Sequence, residues 1–265
     1  MISFYRIGAV VFRHLMTLKR LSWFVEVCYW TGFDIVLFGL VGKATTMMIG
    51  SSDNVSTQIL ITNAVLWYLV LRNAVTIGFV LLNELFDANL ISLFATPLRK
   101  IEWLIAGSIV GGIAAILNLI IGMILVALLF NSSILSLGIP LVAMAGSLLL
   151  SGWILGMILM SFLFFSGKKG VGMAFVICWS LVPFSCVYYP LEVFPLFLQK
   201  IVWFIPMTHI FTATRTILIT DGYVWMSIAI SYGLNFIYLI LASAFFVFMF
   251  NRSKKRGLAR LELGW

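Results

Sequence analysis

Of 265 residues, 63% are apolar and only 10% are charged; soluble domains carry roughly 25% charged residues, so a water-soluble globule is excluded. The apolar runs are unbroken, which excludes an outer-membrane barrel, whose strands alternate lipid-facing and lumen-facing residues. A formal charge of +8 invites nucleic acid, but that reading needs a basic patch on an exposed face, and here the basic residues gather at the edges of apolar runs.

Residues 2–20 read as an amphipathic helix, because Arg6, Arg13 and Arg20 recur every seven residues and share one face. Ile7, Val10, Val11 and Leu18 supply its apolar cover. Such a helix is expected to lie in the membrane interface with its basic side toward anionic headgroups. A cleaved signal peptide is not expected: Arg6, Arg13, Lys19 and Arg20 crowd the first twenty residues, and Asp34 interrupts the apolar stretch that follows.

A hydrocarbon layer of roughly 30 Å needs about 20 helical residues per crossing, and six such spans are expected, at 21–41, 59–82, 103–130, 139–165, 171–188 and 223–250. Between the second and third lies a polar stretch, 84–100, in which Leu90, Leu93 and Phe94 fall at helical spacing beside Glu84, Asp87 and Arg99. Residues 84–95 hold two acids and no base, which suits a protein groove better than an anionic lipid surface. Asn131, Ser132 and Ser133 make a tight turn between spans three and four. Residues 190–222 hold Pro190, Glu192, Pro195, Lys200, Pro206, His209 and Arg215, so they read as two short re-entrant or interfacial helices on the outer side, tolerated where protein or a watery cavity shields them.

With both termini cytoplasmic, the inside carries Arg6, Arg13, Lys19, Arg20, Arg99, Lys100, Lys168, Lys169 and the tail residues Arg252, Lys254, Lys255, Arg256 and Arg260, against Lys43, Lys200 and Arg215 outside. That asymmetry is what the positive-inside rule requires of six spans, and seven would place the basic tail outside.

No catalytic constellation stands out. His14 and His209 fall on opposite sides of this topology, no HExxH or CxxC spacing offers a metal site, and no GxxxxGK[ST] phosphate loop occurs. Cys28, Cys178 and Cys186 all lie within apolar runs and read as small buried thiols. Asp34 and Arg72 fall inside spans one and two at similar depths, and the cost of unpaired charge there, at least about 2.5–3.5 kcal/mol, predicts an ion pair or a shared polar cavity. Gly107 with Gly111, and Gly152 with Gly156, are GxxxG packing signals. Aromatic belts account for most residues such as Trp23, Trp30, Tyr188, Tyr189 and Trp203.

The stretch Asn83-Glu84-Leu85-Phe86-Asp87-Ala88-Asn89-Leu90-Ile91-Ser92-Leu93-Phe94-Ala95-Thr96-Pro97-Leu98-Arg99 resembles the loop after the second span in type 2 ATP-binding-cassette (ABC) exporter permeases, where an acidic residue, an Asn-Leu and a Pro-Leu recur in that order. Tyr29-Trp30 ahead of Phe33-Asp34, and Pro195 to Lys200 followed by Ile205-Pro206-Met207-Thr208-His209, extend the resemblance over nearly the whole length. It implies an all-α polytopic membrane protein, one permease domain over 1–265, in the bacterial cytoplasmic (inner) membrane. It further implies a pair of such permeases working with two copies of a cytoplasmic ABC ATPase that hold ATP and Mg, with no cofactor on this chain. The cargo would be a lipid-linked polysaccharide, lipo-oligosaccharide, drug or similar amphiphile. Residues 84–100 would be the coupling helix, with Glu84, Asp87, Asn89, Leu90, Phe94, Pro97 and Arg99 engaging the ATPase. The competing readings are a transport subunit of another type, a passive scaffold, and an intramembrane lipid-modifying enzyme, which would need an acid and base cluster near one interface.

Overall fold

A computed structural model describes residues 3–18, 21–49, 55–220 and 222–257; Lys19, Arg20 and Arg260 lie outside them. Among the described residues there are helices and no strands. The helices are α1 (Phe4–Leu18), α2 (Leu21–Ile49), α3 (Val55–Phe86), α4 (Leu90–Ala95), α5 (Lys100–Phe130), α6 (Pro140–Ser166), α7 (Val171–Phe184), α8 (Leu196–Val202), α9 (Pro206–Thr220) and α10 (Trp225–Lys255). In hydrocarbon each backbone N–H and C=O must find its partner within the chain, and a helix supplies them all locally. Five apolar segments are long enough to cross a membrane: Leu21–Met48, Val55–Phe86, Lys100–Phe130, Pro140–Phe184 and Trp225–Lys255.

The chain breaks where the residues demand it. Asn131 ends α5 in the left-handed region at φ 49°, a conformation Asn tolerates better than most residues. Pro140 then opens α6 at a position where its missing N–H costs nothing.

Helix α3 is the hub. Of its most apolar window 89% is buried, against 28% for α2 and for α5 and 22% for α10, so the outer helices leave most of their apolar surface to lipid. Glycines let α3 come close. A methyl group on Gly152 or Gly156 of α6 would stand 2.8 Å from Asn73 Cβ or Ile77 Cβ, and one on Gly122 of α5 would stand 2.7 Å from Val65. Helix α6 is tied to α10 by polar groups buried between them: Ser147 and Ser231 hydroxyls meet at 2.8 Å, and Ser151 donates to Asn235 Oδ1 at 2.9 Å. Asn235 Nδ2 donates back to the Ser147 carbonyl at 3.0 Å, leaving a satisfied network where an orphaned amide would be costly.

The 45-residue segment Pro140–Phe184 would span about 68 Å as one rod, but it folds back at Gly167–Gly170. Asn73 donates to the Leu149 carbonyl and Gly156 faces Ile77, so α6 runs parallel to α3. Leu82 and Leu163 flank Val171, Phe79 meets Phe175 with ring centroids 6.2 Å apart, and Asn63 Nδ2 donates to Val187 O at 2.9 Å. Helix α7 therefore runs antiparallel to α3.

Residues 190–222 hold the two short helices α8 and α9, which meet at 103°. Ser231 donates to the Pro206 carbonyl and Tyr238 to the Phe204 carbonyl, so the bend lies against the first half of α10, while Ile217 toward the far end of α9 lies near Ser136 and Pro140.

Helix α1 is tied to the bundle. Arg6 donates to Glu102 Oε1 and to the Pro97 carbonyl, both at 2.7 Å, and Arg13 donates to Glu84 at 3.0 Å. Arg6 and Arg13 of the basic face thus also grip the ends of α3 and α5, a role that the interfacial reading of this helix does not include. Glu84 and Glu102 are 1% and 0% exposed, and carboxylates so buried require charged or hydrogen-bonded partners.

Candidate functional site

Two chambers open beside α3. One, of about 550 Å³, lies at the α4 end and is bordered by Arg13, His14, Asn83, Glu84 and Asp87. The other, of about 370 Å³, lies further along α3 and is walled by Trp30, Tyr68, Phe175 and Trp179. Glu26, Arg72 and Phe79 line both, so the two chambers adjoin, with the Glu26–Arg72 ion pair on their shared border; together they are the cavity beside α3. Helices α1, α2, α3, α5 and α7 bound it; charged side chains gather in the chamber near α4 and aromatic rings in the other.

The Asp34–Arg72 pair expected from sequence is not formed. Arg72 Nη1 donates to Glu26 Oε1 at 3.2 Å with the Trp23 ring 5.9 Å from its guanidinium carbon, while Tyr68 donates its hydroxyl to Asp34 Oδ2 at 2.9 Å. All four side chains lie along the α2–α3 seam, but Glu26 and Asp34 are eight residues, about 12 Å, apart along α2. A depth read from span ends places two residues on the same seam; it does not fix which turns face each other. The residue passed over is Glu26, whose signal is its place on the face of α2 that also carries Trp30 and Asp34, at intervals of four.

The 84–100 stretch is also arranged differently. Glu84 belongs to the last turns of α3, and α4 is six residues long. Asn89 Nδ2 donates to Glu84 Oε2 at 2.8 Å. Leu90 is fully buried, and Phe94 packs edge-on to Trp103 and Phe250 at 5.5 and 5.0 Å. Glu84 and Leu90 are buried against this chain's own bundle and Phe94 is half-buried there, while Phe86 and Ile91 stay exposed beside them. Asp87, Pro97 and Arg99 are exposed, and Asn89 is half-buried.

Chemically the cavity offers recognition: a guanidinium, carboxylates and flat aromatic faces. No family model matches the chain, and no curated protein matches it.

Burial pushes His14 below the ordinary imidazole range, with Glu84 opposing and Arg13 assisting. The folded chain therefore prefers neutral His14. As pH falls below about 6.5 the unfolded chain takes up the proton first, so stability is lost on acidification through that point toward the lower folded value. Thermal unfolding measured from pH 8 to pH 5 should show a fall that His14→Gln flattens; parallel curves for both proteins would contradict this.

Proposed function

We infer that this chain is the membrane-embedded permease of an ATP-driven exporter, moving an amphiphile out across the bacterial cytoplasmic membrane. The supporting observation is the cavity along α3, which sets charged side chains near α4 beside a chamber walled by aromatic rings within the apolar bundle. In this reading the chain crosses six times, in α2, α3, α5, α6, α7 with the residues that follow it, and α10, and both termini and α4 are cytoplasmic. A separate ATPase, in two copies holding ATP and Mg, docks on the exposed Asp87, Pro97 and Arg99, and a second copy of the permease closes the open side of the cavity. The resemblance of residues 83–99 to the coupling loop of type 2 ABC exporter permeases supports the ATPase assignment. Gating is then a rigid-body motion, with the loop moving the helices it joins.

The test pairs cysteine cross-linking with topology. Asp87→Cys and Arg99→Cys should cross-link to a co-purifying ATPase, Asp87→Lys should abolish ATP-driven export, and a phosphatase fused after Trp265 should be inactive outside the cell. Export unchanged in Asp87→Lys with no cross-link at either position sinks the coupling assignment, and an active fusion sinks the six-span count.

A further inference from the structure

The ion pair on the border of the two chambers is lopsided. Arg72 has a side chain 9% exposed, whereas that of Glu26 is 52% exposed. A guanidinium carries five N–H donors, and among the described residues one of them is used, on Glu26 at 3.2 Å. That bond is longer than the 2.7–2.9 Å of a strong charge-assisted pair. The Trp23 ring flanks the guanidinium from α2. Arg72 lines both chambers, so its remaining donors border the cavity. Of the other charged groups, Arg13 and Glu84 border the same chamber and are engaged with each other, Asp87 borders it near α4 beside His14, and Asp34, two turns along α2 from Glu26, is held by Tyr68. Around Arg72 the chamber walls are Trp30 and Tyr68 on one side and Phe79, Phe175 and Trp179 on the other, with no charge besides Glu26 and Arg72.

From this we propose that Arg72 is an anion-binding site for the phosphate or carboxylate head of an amphiphile, and that Glu26 is a built-in competitor which the head displaces. The incoming head takes two N–H donors of the guanidinium as a fork, the geometry Arg favours for phosphate and carboxylate. Glu26 rotates into the open chamber, which its exposure already permits. The apolar tail lies along the aromatic walls toward α7. When the head leaves, Glu26 returns to Arg72 and prevents an uncompensated cation at that depth, where charge is expensive. The inference rests on the export reading for its direction of travel, but the binding step does not.

The two partners are therefore predicted to respond with opposite signs, which a mere clasp between α2 and α3 would not do. The full chain is purified in phosphatidylcholine nanodiscs and labelled with a dodecyl phosphate bearing a diazirine in its tail, with no ATP or ATPase present. Adducts are expected on α3 and α7 around Phe79 and Phe175. Unlabelled dodecyl phosphate should compete, whereas inorganic phosphate and dodecyltrimethylammonium should not. Arg72→Gln should weaken competition at least about tenfold, the value of a lost charge-assisted pair. Glu26→Gln should strengthen it severalfold by removing the competitor. Glu26→Asp, which shortens the reach to Arg72 and keeps the charge, should strengthen it to a smaller extent and covers the case in which Glu26→Gln folds poorly. The proposal is overturned if the Glu26 variants weaken binding as Arg72→Gln does, if headgroup charge makes no difference, or if inorganic phosphate competes as well as the alkyl phosphate. Because the labelling needs neither nucleotide nor partner, failure of the export reading leaves these outcomes unchanged.

Discussion

Glu84→Lys is expected to lower stability by about 3–5 kcal/mol, the range for leaving a buried charge without its partner, and to release α1 from the bundle. Glu84 is 1% exposed and holds Arg13 on one side and Asn89 on the other, with His14 Nε2 at 3.8 Å. A lysine there puts a cation beside a guanidinium and an imidazole, and its amine has no carboxylate to meet. Glu84→Gln separates charge from shape: it keeps an acceptor for Asn89 and loses the ionic part of the Arg13 contact, a loss of about 1–2 kcal/mol. The measurement is thermal unfolding of the purified protein together with tryptic cleavage after Arg6 and Arg13, which should accelerate strongly in the Lys variant and weakly in the Gln variant. Equal stability and unchanged cleavage in Glu84→Lys would show that the Arg13–Glu84 pair does not hold α1, leaving its apolar face and the Arg6–Glu102 pair. The result also bears on coupling, because lost export in Glu84→Lys would follow from undocking α1, whereas Asp87→Lys, on an exposed side chain, reports the partner contact itself.

The fold class was legible because hydrocarbon leaves so little choice. Runs of about 20 apolar residues must be helices, and the turn at Asn131 and the break-up of 190–222 by prolines read correctly from residue type. What could not be read is which face each helix turns inward. In a water-soluble bundle apolar periodicity marks the core, but in α3, α5 and α6 lipid and core both accept leucine, so no stripe distinguishes them. The signals that do carry direction are small and polar. Ser147, Ser151, Ser231 and Asn235 all face one another, and each marks an inward face because lipid would leave its hydrogen bonds unmade. The same rule bears on the site. Arg72 has two candidate acids on α2, and depth alone does not separate them: Glu26, nearer the start of its helix, pairs with Arg72, and Asp34 with Tyr68. For Leu90, Leu93 and Phe94, helical spacing announces only that something covers the stripe; Leu90 is buried and Phe94 packs on Trp103 of α5 and Phe250 of α10.

Gly152→Val is expected to destabilise the bundle by about 1–3 kcal/mol or more, the cost of overpacking a close helix contact, and the two GxxxG pairs should respond unequally although their spacing is the same. A Cβ on Gly152 would stand 2.8 Å from Asn73 Cβ and 3.0 Å from the Val70 carbonyl oxygen, and backbone cannot step aside as a side-chain tip can. A Cβ on Gly111, from α5, would stand 2.4 Å from Asn73 Oδ1, which is the end of a side chain, and 3.0 Å from the Asn73 carbonyl. Gly107 has nothing nearer than Val80 at 3.8 Å, ordinary contact distance for an added methyl. The expected order of loss is therefore Gly152→Val above Gly111→Ala, with Gly107→Ala close to neutral. Asn73 is wedged between both helices and donates to Leu149 O at 2.8 Å, so Asn73→Ala should relieve part of the Gly111→Ala cost while leaving Gly152→Val unrescued. Because α3 also carries Tyr68, Arg72 and Glu84, forcing it away from α6 pushes the hub toward the cavity, and Gly152→Val should alter dodecyl phosphate labelling at Phe79 where Gly107→Ala does not. Unfolding temperatures of the three single variants and the two doubles decide the matter: equal losses at Gly107 and Gly152, or rescue of both Gly111→Ala and Gly152→Val by Asn73→Ala, would mean that α3 is not held at the distance that these contacts require.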